Sequence, residues 1–227
     1  MIAGSTRVIA LLGQPVAHSL SPRMQNAAFA ARGLDYAYVP FDVPPERIEA
    51  AVRGLVALGF AGANVTAPHK LAVVELCKTD LASVNTLLVR EGRLEGRSTD
   101  AAILDGLVAE RPAVIGGGGS ATAFVEALPH ARVFTRSGDW PPRVDGADLV
   151  IHATTVKDEV LVRLGPGQTL IDLPYPASAT AAAAREAGAT VLDGLDVLVA
   201  QGAASFELWT GVPAPVDVMR AAVGLRP

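Results

Sequence analysis

Short apolar runs alternate along this chain with segments of helical period, and such a chain is driven toward parallel sheets covered by helices. Val8–Gly13, Tyr36–Val43 and Gly62–Thr66 read as strands. Pro22–Leu34 reads as a helix with Ser21 as its N-cap; Pro22 takes the first helical position, where its missing N–H costs nothing. Pro45–Leu58 places Ile48, Val52, Leu55 and Val56 on one face and is stopped by Gly59. A short helix over Lys70–Lys78, a hairpin of Val84–Val89 with Arg93–Ser98, and a helix from Thr99 to about Glu110 follow. From Arg111 the pattern restarts. Ala113–Ile115 is a strand, a helix runs to about Leu128, and strands recur at Ala131–Arg136, Asp148–Ala153, Thr169–Leu173 and Thr190–Leu192. Leu195–Gly211 and Val216–Val223 close the chain as helices. The fold class expected is α/β, in two lobes dividing near Asp100–Arg111.

Composition narrows the partners. Half of the 227 residues are apolar and 19% are charged, enough apolar surface for a substantial core. With 19 Lys+Arg against 23 Asp+Glu, no basic excess favours nucleic acid or an anionic membrane. No run reaches about 18 unbroken apolar residues, as a membrane span requires, and the start of the chain lacks the long apolar core of a secretory signal. The one cysteine, Cys77, reads as a small buried apolar residue and excludes an internal disulfide. Cytoplasmic localisation is the expectation, with small-molecule partners and a monomer or homodimer.

Gly116-Gly117-Gly118-Gly119-Ser120-Ala121 fits G-x-G-x-x-G/A between a strand and a helix. Gly116 permits the tight turn, Gly118 lets the backbone approach a pyrophosphate, and Ala121 permits close helix–strand packing. The helix N-terminus behind Gly119 and Ser120 then offers free N–H groups to phosphate. About 20 residues on, an NAD site wants a carboxylate. Thr135-Arg136-Ser137 stands there instead, and Arg136 suits the 2′-phosphate of NADP. Only 11 residues, Ser137 to Ala147, join the second strand of this lobe to the third, too few and too broken by Gly138, Pro141, Pro142 and Gly146 for a crossover helix.

Three stretches of the first lobe belong together: Gly13-Gln14-Pro15-Val16-Ala17-His18-Ser19-Leu20-Ser21-Pro22, Asn64-Val65-Thr66-Ala67-Pro68-His69-Lys70, and Val84-Asn85-Thr86 with Ser98-Thr99-Asp100. In this order they resemble the shikimate dehydrogenase family, whose patterns are G-x-P-x-x-H-S-x-S-P, N-V-T-x-P-x-K, A-V-N-T and N-T-D. Asp172-Leu173-Pro174-Tyr175-Pro176 is similar to its D-x-x-Y-x-P, and Asp193-Gly194-Leu195 through Gln201, with Phe206, Trp209 and Gly211, to its closing motif. The resemblance implies a substrate-binding catalytic domain over 1–104, completed by C-terminal helices in 196–227, and an inserted Rossmann-type NADP-binding domain over 105–195. It implies reversible, NADPH-dependent reduction of 3-dehydroshikimate to shikimate, in aromatic amino-acid biosynthesis.

Ser19 and Ser21, at a helix start, suit a small carboxylate through two hydroxyls and the helix dipole; the family uses the matching serines for the shikimate carboxylate. Lys70 and Asp100 are the expected catalytic residues. Reducing a ketone requires a proton for the developing alkoxide, which a lysine can supply, while a carboxylate orients it and holds a substrate hydroxyl. Which of the two moves the proton stays open. Asn64, Thr66, Asn85, Tyr175 and Gln201 are expected to bind substrate, uncharged donors and acceptors suiting a polyhydroxylated ring. Gly116, Gly118, Gly119, Ser120, Ala121, Thr135, Arg136, Ser137 and Thr154 are expected to bind NADP. No spacing among His18, His69, His130 and His152 with acidic residues suits a metal.

Several positions depart from the family pattern. Ser98 stands for Asn in N-T-D, His152 for the Asn of N-A-T, and Val197 for a Met. Substrate-lobe chemistry is kept and the cofactor lobe is pared down. Two other readings stand beside the first: a quinate/shikimate-type dehydrogenase with relaxed cofactor choice, and a shikimate-binding module without catalysis.

Overall fold

Two five-stranded sheets hold the apolar runs. A computed structural model describes residues 2–226. In chain order its elements are β1 (Arg7–Gly13), α1 (Ser21–Ala31), β2 (Tyr36–Asp42), α2 (Ile48–Ala57), β3 (Gly62–Val65), β4 (Thr86–Arg90), β5 (Arg93–Arg97), β6 (Pro112–Ile115), α3 (Gly119–Ala127), β7 (Arg132–Phe134), β8 (Leu149–His152), β9 (Thr169–Asp172), α4 (Ala179–Glu186), β10 (Thr190–Leu192), α5 (Gly194–Thr210) and α6 (Val216–Ala222). Met1–Thr99 with Val199–Pro227 form one compact unit and Asp100–Leu198 the other. No helix among the described residues is long and apolar enough to cross a membrane.

The first unit's sheet runs β2-β1-β3-β4-β5, with β1 parallel to β2 and β3, and β4 antiparallel to β3 and β5. Alternation decides its faces. Ala10 and Leu12 of β1, Ala63 and Val65 of β3 and Leu87 of β4 pack with Ile48, Val52 and Leu55 of α2. Opposite them are the aromatic groups. Phe29 of α1 stacks on Phe206 of α5 at 5.3 Å, and Tyr38 lies 6.1 Å from Trp209. Both α1 and α2 end where a glycine takes positive φ, Gly33 at 64° and Gly59 at 70°, and the next N–H reaches back to Phe29 O or Leu55 O.

The second unit's sheet is wholly parallel, ordered β10-β9-β8-β6-β7. Val114, Leu149, Ile151 and Ile171 face α3 and the first turn of α5, packing with Phe124 and Val197. Ala113, Ile115, Val150 and Leu170 face the other way, onto Ala181 and Ala184 of α4. No helix joins β7 to β8. Val144, Val162 and Leu164, from the irregular connections before and after β8, cover that face beside Phe134.

Four local expectations change. The stretch from Thr99 to Glu110 forms only a 3-10 turn, Asp100–Leu104; Gly106 then takes a φ of 80°, and Val108 is left 94% exposed. Lys70–Lys78 likewise shortens to a 3-10 turn, Ala72–Leu76. Ser21 is not the N-cap of α1 but its first residue. Ala179–Glu186 is a helix that apolar periodicity does not reveal, because its run of alanines has no contrast of faces. Alanine's helix propensity and the Ser178 cap, whose Oγ accepts from Ala181 N, make it one.

Gly62 is required by packing. A Cβ there would collide with Leu87 O and the Trp209 indole, the two groups joined by the 3.0 Å bond that Trp209 Nε1 donates to Leu87 O. Gly62→Ala is expected to cost about 1–3 kcal/mol of unfolding free energy, read as a lower urea midpoint at unchanged slope.

Candidate active site and cofactor turn

In the first unit, strand direction gathers the expected site residues at one sheet edge. The C-terminal ends of parallel β1 and β3, the start of antiparallel β4 and the end of β5 all lie there. Gln14 N donates to Ala67 O and Thr66 N to Leu12 O, tying the loop after β1 to the loop after β3. Gly13 makes this approach possible, since a Cβ would strike the Thr66 side chain.

Ser19 and Ser21 open α1. Leu20 takes the N-cap position without a side-chain cap, and Ser21 N donates to Ser19 Oγ at 3.2 Å, a local turn bond just ahead of the helix. Among the described residues no hydrogen bond engages the proton of either hydroxyl, and both stay available to an anion at the helix start. Lys70 is held through its backbone. His69, buried, hydrogen-bonds Val43 O through Nε2 at 2.7 Å, and Lys70 O accepts Val84 N at 2.9 Å. The residue before the lysine and the lysine's own carbonyl are therefore fixed, and its side chain is half-buried.

Behind these residues lies a buried polar network. Asn85 Oδ1 accepts Thr99 N at 2.8 Å and Asn85 Nδ2 donates to Thr99 Oγ1 at 3.0 Å. This fixes the backbone just ahead of Asp100, itself buried. Ser205 Oγ bonds Thr86 Oγ1 at 2.9 Å and Thr99 Oγ1 at 3.0 Å. Asn64 is a correction to the expected binding set. Its Nδ2 donates to Asn85 O, Thr86 Oγ1 and Ser205 Oγ, its Oδ1 accepts Tyr38 Oη at 2.8 Å, and it is 5% exposed. The amide is spent on the network and positions Asn85 and Thr86. Tyr38 and Ser205 were missed by motif reading; a serine one helical turn after Gln201 in an apolar helix was the available signal. Thr66 and Gln201 are half-buried, at the end of β3 and in α5.

In the second unit, strand order reverses between β6 and β8, the switch point where open parallel sheets bind ligands. The glycine turn leaves β6 there. Gly116 has a φ of 139°, and a Cβ on it would lie 2.5 Å from Ala153 O, so the first glycine is demanded by conformation and packing. At Gly118 a Cβ would meet no protein atom within 4 Å. The space beside this glycine is open. Ala121 is buried, and α3 starts at Gly119 with no side-chain cap, at the helix end that favours anions. Thr135 and Ser137 share a 3.4 Å hydroxyl contact after β7, beside exposed Arg136. These residues fit a dinucleotide.

Thr154 is a second correction. Its Oγ1 bonds His152 Nε2 at 2.7 Å and accepts Val156 N at 3.1 Å, so the hydroxyl shapes its own loop. Behind it, His152 Nδ1 meets Asp172 Oδ1 at 2.6 Å, both side chains fully buried. Asp172 also accepts Ser178 N at 2.9 Å and Ser178 Oγ at 2.8 Å. Burial opposes its ionisation, but the His152 and Ser178 hydrogen bonds outweigh burial and hold its carboxyl below the ordinary value of 3.8. This network joins β8, β9 and the start of α4. Between the last two lies Tyr175, half-buried, its carbonyl accepting Lys157 Nζ at 2.9 Å.

A polar sheet edge with paired serines and a lysine in one unit, and a dinucleotide-binding turn in the other, define a two-unit α/β protein of the oxidoreductase kind. The chain belongs to the shikimate dehydrogenase family. The family model for the shikimate dehydrogenase substrate binding domain matches residues 11–87, and that for the shikimate 5′-dehydrogenase C-terminal domain matches 194–223. The chain is 40% identical to shikimate dehydrogenase (NADP(+)) of Anaeromyxobacter sp. strain Fw109-5, over 98% of both chains. That alignment spans 272 positions against the 227 residues here, so gaps fall within this chain. The structure of shikimate dehydrogenase from Aquifex aeolicus superposes with a TM-score of 0.90 at 29% identity, covering 99% of this chain and 100% of that one. The Thermus thermophilus enzyme in complex with NADP(H) and shikimate gives 0.85 at 28% identity, covering 96% and 98%.

Because Asp172 is held below its ordinary value, its ionised form stabilises the fold fully above pH 3.8, and that contribution is lost as pH falls through the folded-state value. In thermal melts, the gap in stability between the parent and Asp172→Asn should narrow as the pH falls below about 4.

Proposed function

We propose that this protein is a shikimate dehydrogenase, catalysing reversible NADPH-dependent reduction of 3-dehydroshikimate to shikimate. The observation that carries the reading is Lys70, its backbone carbonyl bonded to Val84 N and its neighbour His69 buried against Val43 O in the N-V-T-x-P-x-K loop, at the same sheet edge as Ser19, Ser21 and Asn85. NADPH held at the glycine turn supplies the hydride. The chain's own residues do the rest. Ser19 and Ser21 donate to the substrate carboxylate, aided by the N-terminal dipole of α1. Thr66, Asn85, Tyr175 and Gln201 hydrogen-bond ring hydroxyls. Lys70 Nζ donates to the ketone oxygen, stabilises the charge developing on it and delivers the proton. Asp100 accepts from a neighbouring hydroxyl and keeps the lysine oriented. In the oxidative direction the same proton returns to Lys70. We place the protein in the cytoplasm as a monomer or homodimer, supported by its single half-buried cysteine and lack of basic excess.

The test is NADP reduction followed by absorbance, with shikimate and with quinate, in parallel with NAD. Shikimate- and NADP-dependent reduction is expected. No reduction with any pair, while shikimate still raises the melting temperature, would replace the enzyme reading with that of a binding module. Lys70→Met should lower kcat by about 10²–10⁴-fold and leave shikimate binding by calorimetry largely in place. Unchanged turnover would remove Lys70 from catalysis.

A further inference from the structure

We propose that Glu159 is a cofactor-specificity residue, competing with the 2′-phosphate for Arg136 and so narrowing this protein's preference for NADP over NAD. The inference rests on the dehydrogenase reading above and adds a determinant to its cofactor site. Arg136 directly follows the Thr135 that ends the β7 region, where a dinucleotide's adenosine ribose is read. Its guanidinium is engaged from two directions. One face lies 5.6 Å from the centroid of the Trp140 ring, and Nη2 lies 3.8 Å from Glu159 Oε1.

Both partners come from the connections that carry no crossover helix: Trp140 from the segment between β7 and β8, Glu159 from that between β8 and β9. The main chain of Glu159 is anchored. Its carbonyl accepts Thr180 Oγ1 at 3.4 Å, that buried hydroxyl accepts Leu161 N at 3.0 Å, and Lys157 O accepts Ala179 N at 2.7 Å. The backbone that carries the exposed Glu159 side chain is thereby fixed beside Arg136.

The chemistry discriminates. A monoester phosphate carries about −1.5 to −2 charge near neutral pH and binds an arginine best through two parallel N–H groups. A carboxylate 3.8 Å from Nη2 makes no hydrogen bond to it but places a like charge beside the phosphate and repels it. A free ribose 2′-hydroxyl suffers no such repulsion and finds in Glu159 an acceptor of the kind NAD sites use. Trp140 acts in the other sense. Its ring fixes the guanidinium plane from one side, presenting the fork ready-made to either anion.

The first readout is equilibrium binding and needs no turnover: calorimetric titration of the full-length protein with 2′,5′-ADP and with 5′-AMP. Glu159→Gln should tighten 2′,5′-ADP by about three- to tenfold, the range for one charge at a solvated site, leave 5′-AMP unchanged or slightly weaker, and lose most of the gain at high salt. Trp140→Ala should weaken 2′,5′-ADP more than 5′-AMP, with Trp140→Phe restoring part of the loss. The second readout is the ratio of kcat/KM for NADP to that for NAD with shikimate, which should rise in Glu159→Gln. An equal effect on both nucleotides, or no effect on 2′,5′-ADP, including no measurable binding to either parent or variant, overturns the proposal. Absence of turnover with both cofactors in the parent overturns the dehydrogenase reading instead and leaves the nucleotide titration to decide this one.

Discussion

Buried amides and hydroxyls at one edge of the first sheet have to satisfy one another, and the rest of the substrate unit is arranged around that requirement. Asn64, Asn85, Thr86, Thr99 and Ser205 are all 5% exposed or less, where an unpaired polar group costs about 1–3 kcal/mol. Each answers the others. Asn85 meets Thr99 through Oδ1 and one N–H of Nδ2, Ser205 joins Thr86 to Thr99 across 119 and 106 residues of sequence, and Asn64 closes the set through Tyr38. Such a network has one good arrangement, so the strand ends it joins are held in register. It also explains why a C-terminal helix belongs to an N-terminal sheet: without Ser205 from α5, the edge would be left with unsatisfied hydroxyls.

The second unit meets a different constraint. A parallel sheet leaves the C-terminal ends of its strands open at the switch point, and a phosphate-bearing ligand needs backbone N–H groups brought there without side chains in the way. Gly116 and Gly118 answer the two halves of that need separately, one forced by the nearness of Ala153 O and the other left clear of protein. The Asp172-centred bonds from His152 and Ser178 then hold the ends of β8 and β9 and the start of α4 together. His152 replaces the asparagine of the family pattern, and its ring spans from Asp172 to Thr154. Thr154 is thereby bound to the protein rather than directed at a ligand.

Much of this was legible in the residues, for identifiable reasons. Strand–helix alternation and the helix stopped by Gly59 gave the α/β class, because period and turn chemistry are local. The serine, N-V-T-x-P-x-K and glycine-turn motifs located Ser19, Ser21, Lys70 and Gly116 because each is short and its job depends on backbone close by. What escaped depends on distant partners. Asn64 looks like a pocket amide in its motif, and only the meeting of β3, β4 and α5 reveals that its hydrogen bonds are already taken. Ser205 carries no motif of its own. The α4 helix was hidden by a lack of contrast rather than of propensity, and the helix expected after Thr99 yields to a short 3-10 turn followed by Gly106 at positive φ.

The shortened side of the second unit shows how a fold loses an element without losing its core. A crossover helix on the β7 side would bury the face that carries Phe134 and Val150. Here Val144, Val162 and Leu164 do so from irregular chain. Three aliphatic side chains are enough because β7 is three residues long and lies at the sheet edge. What they do not replace is charge. A helix at that position could set a further basic residue beside Arg136, whereas the connections present there bring an indole and a carboxylate. Hydrophobic cover and phosphate recognition are thus separable demands on the same stretch of chain. The core tolerates the trimming because any well-packed aliphatic group meets its demand, whereas at the cofactor end the sign and placement of each charge around one guanidinium set how well a 2′-phosphate is held.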